Sequence, residues 1–234
     1  MRKNILVTGS SSGIGACLAS YLKSLNYNVL RTGRKDIEGP DYFRADLSSL
    51  RELEALLEYA INYFGSVDVL INNAGEYIYS PVEAVSYEKV QKMTEVNFMA
   101  PYYLISKTVP HMKEKKWGRI VNIGSISGAV GEAYASLYSA TKSALAGLTK
   151  SLGLELAADG ITVNQVNPGW VETELTKNAF DGSTFTMDET KDIIPQKRFI
   201  EPIEVAHLVE YLISESAKGI TGQSINLCAG LSIG

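Results

Sequence analysis

Residues 4–15 read Asn4-Ile5-Leu6-Val7-Thr8-Gly9-Ser10-Ser11-Ser12-Gly13-Ile14-Gly15. The first five form a short, apolar, β-branched-rich run, the pattern of a buried strand. Three glycines follow, and from Ala16 to Leu25 the apolar spacing becomes helical. A strand, a glycine-rich turn and a helix in this order make an anion site. Glycine lets the backbone approach a ligand, and unpaired N–H groups at a helix start favour negative charge. The spacing is Gly-x3-Gly-x-Gly, not the Gly-x-Gly-x-x-Gly of the commonest dinucleotide fingerprint. Alone, the turn also fits an ordinary strand-to-helix connection. Its place at the first βα turn of an alternating chain points to a dinucleotide pyrophosphate.

The alternation continues to the other end. Strands are expected at 4–8, 28–32, 42–45, 67–72, 119–123, 161–167 and 224–227, and helices at 14–25, 49–64, 87–115, 136–158 and 202–214. This order calls for an α/β fold, a doubly wound, Rossmann-like parallel sheet of seven strands with helices on both faces. In such sheets the ligand lies beyond the carboxyl ends of the strands. No linker, repeat or low-complexity run interrupts the pattern, so residues 1–234 are expected to form one domain. The least regular part is 171–199, and a connection that long is usually functional or disordered.

Composition narrows the class. The 234 residues are 45% hydrophobic, enough for one large core, and no run is long and apolar enough to cross a bilayer. A net charge of −4 and a pI near 5.4 argue against a nucleic-acid surface. Two cysteines (Cys17, Cys228) and two histidines (His111, His207) lack metal-ligand spacing. Neither a disulfide framework nor a metal site is expected, and a reducing cytoplasm is the natural setting. The first strand begins almost at Met1, so no signal or transit peptide is expected.

Residues able to do chemistry collect after the strands. Asn72-Asn73-Ala74-Gly75 follows the fourth, Gly124-Ser125 the fifth and Pro168-Gly169 the sixth. Asn97 interrupts a helical segment, an unfavourable place for asparagine unless its amide is used. Tyr138 and Lys142 stand four residues apart, about one turn along one helix face, and Ser125 lies thirteen residues before the tyrosine. A phenol with a pKa of about 10 is a poor acid or base at neutral pH, but a neighbouring cation favours its phenolate. Each feature alone has an ordinary reading: turn asparagines, a capping serine, a Pro-Gly loop, a surface Tyr/Lys pair. Together, in this order, they do not.

The set resembles the short-chain dehydrogenase/reductase family, in its compact single-domain branch, over essentially the whole chain. Its marks here are Thr8-Gly9-x3-Gly13-Ile14-Gly15, Asp46-Leu47, Asn72 to Gly75, Asn97, Ser125, Tyr138-x3-Lys142 and Asn167-Pro168-Gly169. The resemblance implies an oxidoreductase in which Tyr138 donates a proton in reduction and accepts it in oxidation. Lys142 would hold the nicotinamide ribose and ease the tyrosine's ionisation. Ser125 would bond the substrate oxygen, and Asn97 would anchor a water of the proton relay. Gly9, Gly13 and Gly15, with Ser11, Ser12 and Ile14, would cradle the pyrophosphate. Asp46 and Leu47 would border the adenine, while Asn73, Ala74 and Gly75 would line the cleft, with Pro168, Gly169 and Val171 completing it. No metal is needed, because hydride transfer is the cofactor's chemistry. A homodimer or homotetramer is implied, built on the helices at 87–115 and 136–158. Leu145, Leu148 and Leu152 would face the sheet, and Ala146, Gly147 and Gly153 would leave a smooth face for a neighbour. The partner is a small carbonyl or alcohol, not a nucleic acid or a membrane.

Charge favours NADP(H) over NAD(H). About 20 residues beyond the turn, dinucleotide folds place an acid that holds the ribose 2′-hydroxyl of NAD. Here Gly33 occupies that place and Arg34-Lys35 follow, and a guanidinium binds the 2′-phosphate of NADP well. An ordinary solvated charge is the other reading of Arg34. In overall look the 3-oxoacyl-carrier-protein reductases are nearest, through 194–202 and 220–227. Lys116 suits a dock for an acidic carrier, while Asp159 and the short link between the second and third strands depart from that group. A pocket under 171–199 would have Trp170, Phe180 and Phe185 as apolar walls, and Glu132 and Tyr134 as polar contacts or plain loop residues. The alternatives are an NAD(H)-dependent alcohol or sugar dehydrogenase and a non-catalytic dinucleotide-binding module.

Overall fold

The computed structural model describes residues 2–174, 176 and 186–233. Among these are the strands β1 (Asn4–Val7), β2 (Asn28–Gly33), β3 (Tyr42–Arg44), β4 (Val69–Asn72), β5 (Gly118–Ile123), β6 (Ile161–Pro168) and β7 (Ser224–Leu227). They pair in parallel in the order β3-β2-β1-β4-β5-β6-β7. The helices are α1 (Gly13–Ser24), α2 (Leu50–Phe64), α3 (Tyr87–Thr94), α4 (Ala100–Lys115), α5 (Ser127–Val130), α6 (Ser136–Glu155), α7 (Met187–Ile193) and α8 (Pro202–Ile213).

The period-two alternation of side chains sorts each strand between two cores. Ile5 and Val7 meet Leu18 and Leu22 of α1 and Val205, Val209 and Leu212 of α8 on one face. Leu6 points the other way, among Leu56 of α2, Leu104 and Met112 of α4 and Leu156 after α6. A sheet covered on both faces has no place for polar alternation, which is why its central strands read as continuous apolar runs. The order reverses direction between β1 and β4. β2 and β3 build to one side and β4 to β7 to the other, so the loops after β1 and β4 diverge and leave a crevice between them.

Three expectations change. The helix expected at 87–115 is interrupted: a π-helical turn, Glu95–Met99, separates α3 from α4. Such single turns recur at functional sites because one extra residue widens the helix and re-aims a side chain. The helix at 136–158 ends at Glu155, and a 3-10 turn, Ala157–Asp159, follows. Within the irregular 171–199 lies α7, whose start is a reciprocal capping box between Thr186 and Glu189. Phe180 and Phe185 lie outside the described residues.

Candidate active site

The loops after β1 and β4 are bound together before any ligand is considered. The Thr8 hydroxyl accepts from the backbone N–H groups of Asn73 and Ala74, each at 3.0 Å. The Asn73 amide donates to the carbonyls of Thr8 (2.9 Å) and Gly9 (3.0 Å). Glycine is required where these loops touch. Gly9 has φ +63°, and a Cβ there would lie 2.6 Å from the Ala74 Cα; one on Gly15 would lie 2.4 Å from the Gly9 carbonyl oxygen. Gly9 and Gly15 thus allow close contact of backbone with backbone. At Gly13, the start of α1, the nearest side chain to an added Cβ is Thr173, at 3.4 Å. The Ser12 side chain makes no capping hydrogen bond, so it leaves the N–H groups of the first turn free for an anion.

Beyond these loops lies a cleft of about 710 Å³. Gly9, Ser11, Ser12, Gly13 and Ile14 line it at the turn, and Arg34, Asp46 and Leu47 line the end beyond β2 and β3. Asn73, Ala74 and Gly75 form one wall, and Pro168, Gly169 and Val171 form another. Ser125, Tyr138 and Lys142 converge at the far end. Gly15 and Asn97 are not lining residues; they stand behind the wall.

Asn97 is fully buried in the π-helical turn. Its Oδ1 accepts from the Glu76 backbone N–H (2.8 Å), and its Nδ2 donates to the Glu76 carbonyl (2.9 Å) and to Thr141 Oγ1 (3.1 Å). Thr141 lies between Tyr138 and Lys142 on α6, so one amide ties the Gly75–Glu76 wall to the helix that carries both. Lys142 Nζ donates to the Ile123 carbonyl at 2.7 Å and stands 5.6 Å from the centre of the Tyr138 ring. Burial pushes the lysine down to about 8. Burial also raises the Tyr138 phenol to about 12, against a hydrogen bond with Ser125 that lowers it, while the Glu132 charge adds to the rise. The cation was expected to ease the phenol's ionisation. In the protein alone desolvation prevails, and the hydroxyl keeps its proton at neutral pH.

Arg34 is not a free charge. Its Nη1 lies 2.8 Å from Glu76 Oε1, to which Lys92 also comes within 3.4 Å. At Gly33 an added Cβ would meet Ser11 Oγ at 2.8 Å and the Tyr42 hydroxyl at 3.0 Å. The place where an NAD-type acid would stand is therefore filled by neighbours. Burial disfavours the charged form of Asp46, yet hydrogen bonds from Ser48 hold its carboxyl below the usual range.

Lys116 does not serve the cleft. It precedes β5, and the six residues of that strand carry the chain roughly 20 Å to Ser125 at the opposite edge of the sheet. Asp159 accepts from it at 2.6 Å and pairs with Lys113 at 3.5 Å, so the acid noted in the sequence neutralises the base. Trp170 does line the cleft. Glu76, Tyr77 and Ser127 belong to the site and were not singled out from sequence, although the first two directly follow Gly75 and so lie at a strand end.

A sequence model of the family described as short chain dehydrogenase matches residues 3–184. The 3-oxoacyl-[acyl-carrier-protein] reductase FabG of Staphylococcus epidermidis is 35% identical over 245 residues, covering 99% of each chain. The D-beta-hydroxybutyrate dehydrogenase of Rhizobium meliloti is 32% identical over 257 residues, covering 98% of each. Among solved structures, a variant of actinorhodin polyketide ketoreductase with NADPH superposes with a TM-score of 0.91 at 34% identity, over 100% of this chain and 98% of that one.

Lys142 holds its proton less tightly in the folded chain, near 8, than in the unfolded chain, where lysine titrates near 10.4. Below about 8 both states are protonated; between about 8 and 10 the unfolded state binds more, so stability rises with pH there. Denaturant titrations across that window should show the rise in the wild type and its loss in Lys142→Met. Equal slopes in the two proteins would show that Lys142 is not the responsible group.

Proposed function

Because the chain belongs to the short-chain dehydrogenase family, we propose that the cleft beside the β1 and β4 loops is the active site of an NADP(H)-dependent reductase of carbonyl compounds, 3-oxoacyl thioesters among them. The chain is an oxidoreductase, as its family and relatives are. The observation that carries the reading is the meeting of Ser125, Tyr138 and Lys142 in one cleft with the glycine turn.

The residues suit a dinucleotide. The open first turn of α1 would hold the pyrophosphate, Asp46 and Leu47 the adenine edge, and Arg34 the 2′-phosphate. Gly75 and Lys142 would sit against the nicotinamide ribose, with Pro168, Gly169 and Val171 across the cleft. When bound, the nicotinamide supplies or takes up the hydride. Tyr138, protonated at neutral pH, gives its proton to the carbonyl oxygen that Ser125 holds by a hydrogen bond. The phenolate left behind is stabilised by the Lys142 ammonium. Asn97 fixes the spacing of α6 against the Glu76 wall and would anchor a water of the proton relay.

The free cysteines Cys17 and Cys228 accord with a reducing cytoplasm. We also infer a dimer or tetramer through α4 and α6. Gly147 on α6 opens to empty space, and Met99 and Tyr102 at the start of α4 and Leu154 near the end of α6 are exposed large apolar side chains. Gly153 does not belong to that face: a Cβ on it would lie 2.6 Å from Gly222 Cα. Light scattering at micromolar concentration should give a multiple of 25.5 kDa; a clean monomer ends the assembly proposal.

Replacing Tyr138 with Phe should lower turnover of an active oxo substrate by at least about 10²–10⁴-fold, the usual worth of general acid–base work, with NADPH binding nearly unchanged. Near-full turnover in that variant would refute its role. For the cofactor, Arg34→Ala should weaken NADPH by roughly ten- to a hundredfold and leave NADH unaffected, since only NADPH carries the phosphate. Glu76→Gln removes the competing carboxylate and should tighten NADPH. Equal losses for both cofactors in Arg34→Ala, or a wild type that prefers NADH, would overturn the NADP assignment.

A further inference from the structure

Behind Ser125 the cleft contains a carboxylate that the mechanism above does not use. The turn between α5 and α6 passes through Gly131 (φ +81°) and Tyr134 (φ +62°), and Glu132 between them lines the cleft. Each carboxylate oxygen accepts one short hydrogen bond, Oε1 from the Tyr77 hydroxyl and Oε2 from Ser127 Oγ, both 2.6 Å. Ser125 Oγ donates in turn to Ser127 Oγ at 3.1 Å, and the Tyr77 ring meets the Tyr138 ring edge-on at 5.0 Å. The turn is itself held in place, because the Ser80 N–H donates to the Tyr134 carbonyl at 2.6 Å and the rings of Tyr79 and Tyr134 lie 5.3 Å apart. Glu132 is thus a fixed charge two hydrogen bonds from the serine, and the partners holding it are neutral hydroxyls.

The charges that line the cleft are divided along its length. Arg34 and Lys35 lie at the end beyond β2 and β3 together with the carboxylates of Asp46 and Glu76, the latter paired with Arg34, whereas Glu132 lies at the end with Ser125. Lys142 is a cation here too, but it is turned back onto the Ile123 carbonyl. A substrate whose oxygen is held by Ser125 therefore places its nearest substituents in a negative field. Resting on the reading of this site as an oxo-reductase, we propose that Glu132 determines specificity: its carboxylate selects substrates that are neutral or hydroxyl-bearing next to the reacting carbon and rejects those with an anionic group there. The site then suits a thioester or ester of a 3-oxo acid, and not the free acid. Two unit charges about 6 Å apart interact strongly enough, across effective dielectrics of about 20 to 80, for roughly three- to a hundredfold discrimination.

The test is the ratio of kcat/KM for methyl acetoacetate to that for acetoacetate, with NADPH, in the wild type, Glu132→Gln and Glu132→Asp. The wild type should prefer the ester, Glu132→Gln should shift the ratio toward the acid by about three- to a hundredfold, and Glu132→Asp, which keeps the charge, should remain near the wild type. In the wild type alone, the preference should shrink as salt rises from about 10 mM to about 1 M, a readout that needs no variant to fold. Turnover of the ester with a ratio indifferent to both Glu132→Gln and salt overturns the charge selection while leaving the proposed activity intact. A wild type that reduces neither compound counts against the proposed activity. In that event calorimetric dissociation constants for the two compounds decide the charge selection by the same ratio.

Discussion

The contact between the Gly9 turn and the Asn73–Ala74 segment is the constraint on which the rest of the site depends. β1 and β4 are neighbours in the sheet, but their chains leave it in different directions, one into α1 and one into the wall of the cleft. Backbone atoms there approach so closely that a single Cβ at Gly9 or Gly15 would collide with main chain. Thr8 and Asn73 supply the hydrogen bonds that the two departing strands can no longer give each other. A crevice with a defined floor follows, and the open first turn of α1 points into it.

A second layer of hydrogen bonds carries this order outward. Asn97 can clamp both backbone groups of Glu76 because the π-helical turn swings its amide inward, where a regular helix would not. The same amide reaches Thr141 on α6. The positions of Tyr138 and Lys142 are therefore set through one buried side chain, carried just before α4, that joins β4's loop to α6. Buried polar groups that are fully partnered specify one arrangement, since each broken partner leaves a costly orphan.

Electrostatics then separates the two ends of the cleft. Near β2 the Arg34 guanidinium is present, but it is shared with Glu76, so an anion arriving there competes with a carboxylate already in place. Near Ser125 the cation is buried and the exposed sign is negative. Desolvation dominates both catalytic candidates, raising the phenol and lowering the ammonium, as expected when two ionisable groups are buried in a low-dielectric pocket.

By itself the sequence determined the layered α/β architecture, because short continuous apolar runs alternate with segments of 3.6-residue periodicity, a pattern that needs no tertiary knowledge to be read. It also marked most of the residues that line the cleft, since in a parallel sheet the strand ends are where a site must lie and the glycines, asparagines and the Tyr/Lys pair fall there. What only the tertiary structure decided were one local change of helix type and several properties of pairs distant in sequence. These are the break in the helix at Glu95–Met99, the capture of Arg34 by Glu76 forty-two residues away, the placement of Lys116 at the opposite edge of the sheet from Ser125, and the joining of Tyr77 to Glu132. Local propensity encodes a backbone's period and its turns. Which charge meets which, and how much water is left between them, is settled only when separate loops are brought to the same place.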